Sequence, residues 1–325
     1  MKALDRKLAA IAAGTYTPNQ FILADAKDAD MAFGVQAPGR DPETGAFRGR
    51  AAYLAAMAEE IEAGAVDIML TSASNGERLT REGLLDTSTI TLAVRGNDST
   101  DIWNPRGGRY AERASRPFRT AHLARIREFC SLVLYSVTFN NDLEHDLATL
   151  EGFAQFRADA HEVGMRYFLE VFNPNAPRDL APDEVGPFVN DHIIRMLAGV
   201  TLAERPLFLK VAYNGADALG ELVAHDPSLV VGILGGGAGT TRDTFELLAQ
   251  GERHGARVAL FGRKVQNARS QLDLLRLMRE VVGGRITPVD AVAAYHEALQ
   301  AKGIAPDRSL AEDQEVTEAV LRADA

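Results

Sequence analysis

The chain has 325 residues but a single cysteine, Cys130, and this scarcity excludes an internal disulfide. So few cysteines are typical of a protein from a reducing compartment. Because Cys130 stands just before an apolar run, we expect a buried, inert thiol rather than a nucleophile. Long apolar stretches are missing too. The sequence therefore predicts neither a signal peptide nor a membrane span, and it favours a cytoplasmic location.

An excess of positive charge is also missing, since the net charge is −10 at pH 7. This balance argues against a general nucleic-acid binder, and no nucleic-acid motif is present. A local cluster of arginine and lysine would have to meet any anionic ligand. The seven histidines form no His-x-His or His-Glu-x-x-His pattern. We therefore expect no transition-metal site and no cofactor.

What the sequence does contain is a series of eight short apolar runs rich in β-forming residues. Most are apolar throughout, which is typical of parallel strands covered on both faces. The runs are Phe21–Ala24, Val66–Leu70, Thr89–Val94, Leu132–Val137, Tyr167–Phe172, Leu207–Ala212, Leu229–Leu234 and Arg257–Phe261.

Helical patterns separate many of these runs or follow the last one: Arg50–Ala63, Glu144–Val163, Asn190–Ala203, Ala216–His225, Thr240–His254 and Asn267–Val282. Strands alternating with helices predict an α/β protein, and eight of them predict a (β/α)8 TIM barrel. We expect one domain over residues 1–325, with a barrel core from about 20 to 282. A doubly wound open sheet is the main alternative, and the strand count favours the barrel.

Two segments lie outside the alternation. Residues 95–120 are polar and too long for a typical strand-to-helix loop. Such a loop lies over the active-site face of a barrel, so it is either a lid or an ordered insertion with no catalytic part. Residues 287–325 predict one further helix, Thr287–Ala301, and an acidic peripheral tail.

Lys210 stands in the middle of the sixth apolar run. Burying a lysine is costly unless its charge is paired or its pKa falls. A lysine that is neutral at working pH can form a Schiff base with a carbonyl group. The alternatives are a lysine that points outward between helices, or one that pairs with an acid such as Glu170.

The carboxyl ends of barrel strands carry the reactive side chains of barrel enzymes. Here the candidates are Asp25 and Lys27 on the first strand, Tyr135 on the fourth and Glu170 on the fifth. The last two strands end in residues suited to holding a phosphate, namely Gly235, Gly236, Gly237, Gly262 and Arg263. Consecutive glycines expose backbone N–H groups, and the helix expected from Thr240 would aim its positive N-terminus at the same place.

Several of these short motifs resemble those of the class I tagatose-bisphosphate aldolases. They are Asp25-Ala26-Lys27, Leu134-Tyr135, Tyr167–Val171, Leu209-Lys210-Val211 and Gly262-Arg263, in the same order over residues 20 to 268. The wider superfamily includes the archaeal-type class I fructose-bisphosphate aldolases and deoxyribose-phosphate aldolase. The resemblance implies cleavage or formation of a C–C bond through an imine on Lys210, without a metal.

In that mechanism Asp25, Glu170 or Tyr135 would move the proton of the hydroxyl that leaves as an aldehyde, and Lys27 would belong to the site. Gly235, Gly236, Gly237, Gly262 and Arg263 would hold a phosphate of a sugar substrate. Barrels of this kind commonly form homo-oligomers, and the sequence carries no interface signature.

The sequence also departs from these relatives. They have a lysine at the start of the fourth strand, where this chain has Ser131, and an arginine where it has Lys27. A bisphosphate substrate is therefore in doubt, and a monophosphate or another anionic sugar stays open. Arg95, Arg106 and Arg109 could supply the missing charge, although ordinary solvation of the loop is the favoured interpretation.

Two other functions stay open. A phosphosugar isomerase or epimerase would use the same phosphate site with Glu170 or Asp25 as base and no imine. A barrel that binds a sugar phosphate without turning it over is the non-enzyme alternative. Covalent chemistry at Lys210 distinguishes the aldolase from both.

Overall fold

Parallel strands form the centre of the fold, in a computed structural model that describes residues 1–41, 44–235 and 239–323. In this part of the chain the strands are β1 (Ile22–Lys27), β2 (Ile68–Thr71), β3 (Thr91–Arg95), β4 (Asp98–Ser99), β5 (Pro117–Phe118), β6 (Leu132–Thr138), β7 (Arg166–Phe172), β8 (Leu209–Val211), β9 (Val231–Leu234) and β10 (Val258–Phe261). Eight of them close a barrel in the order β1, β10, β9, β8, β7, β6, β3, β2, and all neighbours are parallel. The predicted (β/α)8 barrel is confirmed.

Helices alternate with the barrel strands and pack around them. Within the described ranges they are α1 (Ala3–Ala12), α2 (Ala29–Phe33), α3 (Arg50–Glu62), α4 (Ala73–Arg81), α5 (Leu123–Ile126), α6 (Leu143–Glu162), α7 (Val185–Leu197), α8 (Ala216–His225), α9 (Thr241–Arg253), α10 (Arg263–Gln266), α11 (Gln271–Val282), α12 (Pro288–Ala301) and α13 (Leu310–Asp313). None of the helices described is long and apolar enough to cross a membrane.

Side chains along each barrel strand alternate between the interior and the surrounding helices, as the strand period of two requires. The interior is filled by a cluster of apolar side chains, which includes Ile22, Ala24, Ile68, Leu70, Ala93, Leu132, Leu134, Phe168, Phe208, Val258 and Leu260. The intervening residues belong to the larger core between strands and helices. The same alternation decides which residues at the strand ends enter the site.

Helix α1 packs across the amino-terminal end of the barrel. Leu4 belongs to the interior cluster, and Leu8 and Ile11 pack against it. Lys7 Nζ donates to Asp67 Oδ2 at 2.7 Å and to Phe21 O at 2.8 Å. Because this end is filled, the carboxyl ends of the strands are left to form the functional face.

The long segment after β3 is an ordered insertion over that face. It contains the antiparallel ribbon β4–β5. Asn104 N donates to Ala32 O at 2.9 Å, which ties the segment to α2. Asn175 Nδ2 donates to Ala111 O and Arg113 O, which ties it to the segment after β7. Arg95, which the sequence assigns to this loop, is instead the last residue of β3.

Cys130 is buried, as expected. Its Sγ lies 3.3 Å from Leu92 O and 3.1 Å from Leu132 O. Burial raises the pKa of the thiol to about 11, so this cysteine is a thiol rather than a thiolate near neutral pH.

Candidate active site

A cavity of about 370 Å³ opens at the carboxyl ends of the barrel strands. Its polar and charged lining residues come from both the strand ends and the insertion after β3. The full lining is Ala26, Asp28, Ala29, Ala32, Phe33, Arg95, Asp101, Ile102, Asn104, Glu170, Phe172, Lys210, Leu234, Gly235, Leu260, Gly262 and Arg263. This volume is in the range of pockets that hold a small organic ligand.

Lys210 faces this cavity and is only 6% exposed. Its Nζ forms an ion pair with Glu170 Oε1. The two residues are directly opposite each other in the parallel register of β7 and β8. Lys210 therefore does not point outward between helices. It faces the cavity, and it also has the pairing with Glu170 that was expected as an alternative to a Schiff-base lysine. A carboxylate in contact with the ammonium can accept its proton.

A continuous chain of hydrogen bonds leads from Glu170 to the first strand. Glu170 Oε2 accepts from Ser136 Oγ at 2.7 Å and from Arg95 Nη2 at 3.2 Å. Arg95 Nη1 donates to Ser136 Oγ at 2.8 Å, and its Nε donates to Asp28 Oδ2 at 2.5 Å. Lys210, Glu170, Ser136, Arg95 and Asp28 thus form one buried network.

Arg95 is a permanent cation in this network. Burial alone would lower the pKa of its guanidinium, but Asp28 and Glu170 outweigh that effect and raise it. Its planar donors hold Asp28 on one side and Glu170 on the other. The role favoured from the sequence for Arg95, ordinary solvation of a loop, is wrong. Arg106 and Arg109 do lie in the loop and are not among the residues that line the cavity.

Asp25 and Lys27 do not line the cavity. Lys27 Nζ lies 2.8 Å from Asp25 Oδ2 and 3.0 Å from Glu60 Oε1, and it donates to Gln271 Oε1 at 2.9 Å. Both Asp25 and Lys27 are fully buried between β1 and the surrounding helices. The structure does not place them at the cavity as expected, because strand alternation turns them away from the interior that Ala24 and Ala26 face.

Tyr135 also belongs to the outer layer. Its ring packs between strand and helix against Phe153 and Phe156, with ring centroids 5.6 and 4.2 Å away. Burial raises the pKa of its phenol above the ordinary value. Tyr135 is thus not among the residues that line the cavity, where an acid/base role would need it. Ser136, the next residue, faces the interior instead. Ser131 stands at the opposite, amino-terminal end of β6.

Asp28 and Ser136 are the site residues that sequence reasoning missed. Both could have been found from strand alternation and strand register. Counting in steps of two along β1 from the small residues Ala24 and Ala26 leads to Asp28. The register that joins Lys210 to Glu170 also joins Glu170 to Ser136.

The residues expected to hold a phosphate are partly placed in the cavity. Gly235, Gly262 and Arg263 line it, whereas Gly236 and Gly237 lie outside the described residues. A Cβ at Gly235 would come within 2.1 Å of the Phe261 ring, so only glycine fits there. Their positions are those that phosphate groups occupy in many barrels.

The amino end of α9 was expected to help hold a phosphate, and two of its backbone N–H groups have other partners. Thr240 N donates to Asp243 Oδ2, and Thr241 N donates to Asp313 Oδ1, both at 2.8 Å. Carboxylates of the chain itself therefore take up these two N–H groups, and the expectation that they hold a phosphate is wrong.

Among the described residues, no group of three or more histidine, cysteine, aspartate and glutamate side chains is arranged to hold a metal ion.

Neither a protein-family model nor a curated protein sequence matches the chain. Solved structures match it by fold. An archaeal fructose-1,6-bisphosphate aldolase, with its catalytic lysine covalently bound to the carbinolamine intermediate of the substrate, has 17% identity and a TM-score of 0.60 over 85% of this chain and 100% of its own. The chain has the barrel fold of that aldolase.

Two further solved structures also match the chain by fold. A protein from Corynebacterium glutamicum has 18% identity and a TM-score of 0.58, over 87% of this chain and 94% of its own. Fructose-bisphosphate aldolase from Plasmodium falciparum has 16% identity and a TM-score of 0.54, over 89% of this chain and 94% of its own. At these identities the likeness establishes the fold.

Proposed function

We propose that this protein is a class I aldolase that cleaves or forms a C–C bond in a phosphorylated or otherwise anionic sugar through a Schiff base on Lys210. The observation that carries the proposal is the position of Lys210, which lies inside the cavity against the carboxylate of Glu170. The fold it shares with Schiff-base aldolases supports it.

The steps balance with the residues present. The proton of the Lys210 ammonium passes to Glu170, and the free amine attacks the substrate carbonyl. Glu170 then returns the proton to the carbonyl oxygen, which leaves as water as the iminium forms. Asp28 takes the proton of the hydroxyl on the β-carbon, the C–C bond breaks, and an aldehyde leaves. The iminium accepts the electron pair as an enamine, and protonation and hydrolysis then release the second product.

Arg95 positions both carboxylates through the hydrogen bonds described above. Its positive charge lies beside both of them. The charge in the active site is thus arranged around two acids that exchange protons and one arginine that does not.

The substrate class follows from the charges on the cavity wall. Arg95 and Lys210 are each paired with a carboxylate. Of the lining residues in the described ranges, Arg263 is the cation without an ion pair, and Gly235 and Gly262 lie beside it. One anionic group of the substrate, such as a phosphate, would bind there, so a monophosphate fits this wall better than a bisphosphate.

The test is turnover of a panel of sugar phosphates, measured as the aldehyde released. We expect Lys210→Met to abolish turnover, whereas Lys302→Met, which changes an exposed lysine just after α12, leaves it unchanged. Turnover that survives in Lys210→Met would overturn the proposal. An added chelator should leave the wild-type rate unchanged, because no metal takes part in these steps.

A further inference from the structure

A second cavity, of about 180 Å³, adjoins the active-site cavity and shares Arg263 with it. Its other walls come from α10 to α12, from the amino end of α9 and from residues 306–313. The charged residues that line it besides Arg263 are Lys264, Arg269, Asp307, Arg308 and Asp313.

The wall formed by the C-terminal segment is held in place by specific contacts. Asp313 accepts from Thr241 N at 2.8 Å and lies 2.9 Å from His296 Nε2. Thr240 Oγ1 donates to Glu315 O at 2.7 Å. These contacts make the cavity a fixed feature of the folded chain rather than a gap beneath a loose tail.

Cations outnumber acids around this cavity, although the whole chain carries a net charge of −10. Four arginine and lysine side chains face two aspartates: Arg263, Lys264, Arg269, Arg308, Asp307 and Asp313. Asp313 already accepts hydrogen bonds from Thr241 and His296. Asp307 Oδ1 lies 3.8 Å from Arg269 Nε. Across the described ranges, no carboxylate is within ion-pair distance of Arg263, Lys264 or Arg308. The imbalance favours an anion.

Lys264 is the strongest single indication. It is half-buried, and its Nζ donates to Gly239 O at 3.0 Å. An ammonium group carries three donors, and that carbonyl is its one hydrogen-bond acceptor among the described residues. Burial lowers the pKa of Lys264, which an anion in contact with it would reverse.

Apolar groups complete the lining, which includes Leu274, Leu299 and Pro306. The volume is below the roughly 300 Å³ at which pockets for larger ligands begin. It therefore suits a phosphate group with a few carbon atoms and excludes a nucleotide.

We infer that this cavity is a second anion site that binds a small phosphate monoester through Lys264 and Arg308, separately from Lys210. The inference does not depend on the aldolase chemistry, because it rests on charges and walls outside the Lys210 network.

Calorimetric titration with inorganic phosphate and with glycerol 3-phosphate tests it. Lys264→Met and Arg308→Gln should each weaken binding at least about tenfold, the loss of a charge-assisted hydrogen bond. Lys210→Met should retain it, as should Arg195→Gln, which removes an exposed arginine from α7. Arg308 is exposed, so its variant is expected to fold, and matching melting temperatures without phosphate would show this for both. Wild-type protein that binds neither ligand, or variants that bind as wild type does, would overturn the inference.

Chemical labelling of lysines shows directly where the anion binds. The chain has six lysines, and limited acetylation followed by peptide mapping reports on each. Glycerol 3-phosphate should protect Lys264 while the exposed Lys302 reacts as before. Equal labelling of Lys264 with and without saturating ligand would place the anion elsewhere and contradict the assignment.

Discussion

At the scale of single residues, Glu170 has two contacts that a structural acid would not need together. One oxygen pairs with Lys210, and the other accepts from Ser136 and Arg95. A carboxylate held in this way keeps a fixed distance to the lysine while it gains or loses a proton. We therefore regard Glu170 as the residue that exchanges a proton with Lys210.

Replacing Glu170 with glutamine should lower kcat by about 10²- to 10⁴-fold, the usual contribution of a general acid or base. The amide keeps the size of the side chain and a hydrogen bond to Ser136, but it cannot take the proton of Lys210. Steady-state kinetics on the best substrate of the panel measure the effect, with Ser136→Ala as the milder control. A rate within threefold of wild type would exclude this role.

The buried cluster of Asp25, Lys27 and Glu60 has a different consequence, which concerns stability. Burial, together with the nearby charge of Asp25, raises the pKa of Glu60 to about 9 in the folded protein, from an ordinary value of 4.5. The folded state thus holds this proton more tightly than the unfolded state does. The stabilisation is complete below the unfolded pKa, declines above it, and is lost as the pH passes about 9.

Glu60→Gln removes this titration while keeping the shape of the side chain. We expect the urea midpoint of the wild type to fall between pH 6 and pH 9 and that of the variant to fall less. The difference should grow with pH because only the wild type must release the Glu60 proton. Midpoints that change in parallel over this range would show that Glu60 is ionised in the folded protein.

At the scale of elements, the positions of the strands could be predicted from the sequence, but the directions of their side chains could not. All eight barrel strands form at the runs read from the sequence. These runs are apolar on both faces, because helices cover one side and the barrel interior fills the other. Nothing in such a run shows which residues point inward, so the sequence placed Asp25, Lys27 and Tyr135 in the site and overlooked Asp28 and Ser136.

Helix boundaries show a similar limit. Helix α7 was expected at Asn190–Ala203 but spans Val185–Leu197. Pro187 lies in its first turn, where the missing N–H of proline has no intrahelical partner to lose. A Gly-Pro pair is thus compatible with the start of a helix.

The direction of the side chains on β6 can be tested at Tyr135. Because its ring lies between strand and helix, Tyr135→Phe should leave kcat within about threefold of wild type and change stability by no more than about 1 kcal/mol. Steady-state kinetics and urea unfolding measure the two effects. A loss of rate as large as that of Glu170→Gln would return the tyrosine to the catalytic machinery.

At the scale of the whole molecule, closure of the barrel brings together residues that are far apart in the sequence. Asp28 directly follows the first barrel strand and Lys210 belongs to the sixth, yet Arg95, Ser136 and Glu170 link them through four hydrogen bonds and one ion pair. The sequence could predict the barrel from its strand count. It could not predict this network, which depends on side-chain direction, nor the docking of the C-terminal segment on α9, which depends on contacts between distant residues.

The measurement that tests the central claim most directly is borohydride trapping with sugar phosphates, followed by intact mass and peptide mapping. Because the chain has only six lysines, the modified residue can be assigned without ambiguity. We predict a stable adduct on Lys210 whose mass identifies the substrate, and no adduct in Lys210→Met. If substrates bind but no reduced adduct forms at Lys210, the Schiff-base mechanism is contradicted, and a barrel that isomerises or binds a sugar phosphate takes its place.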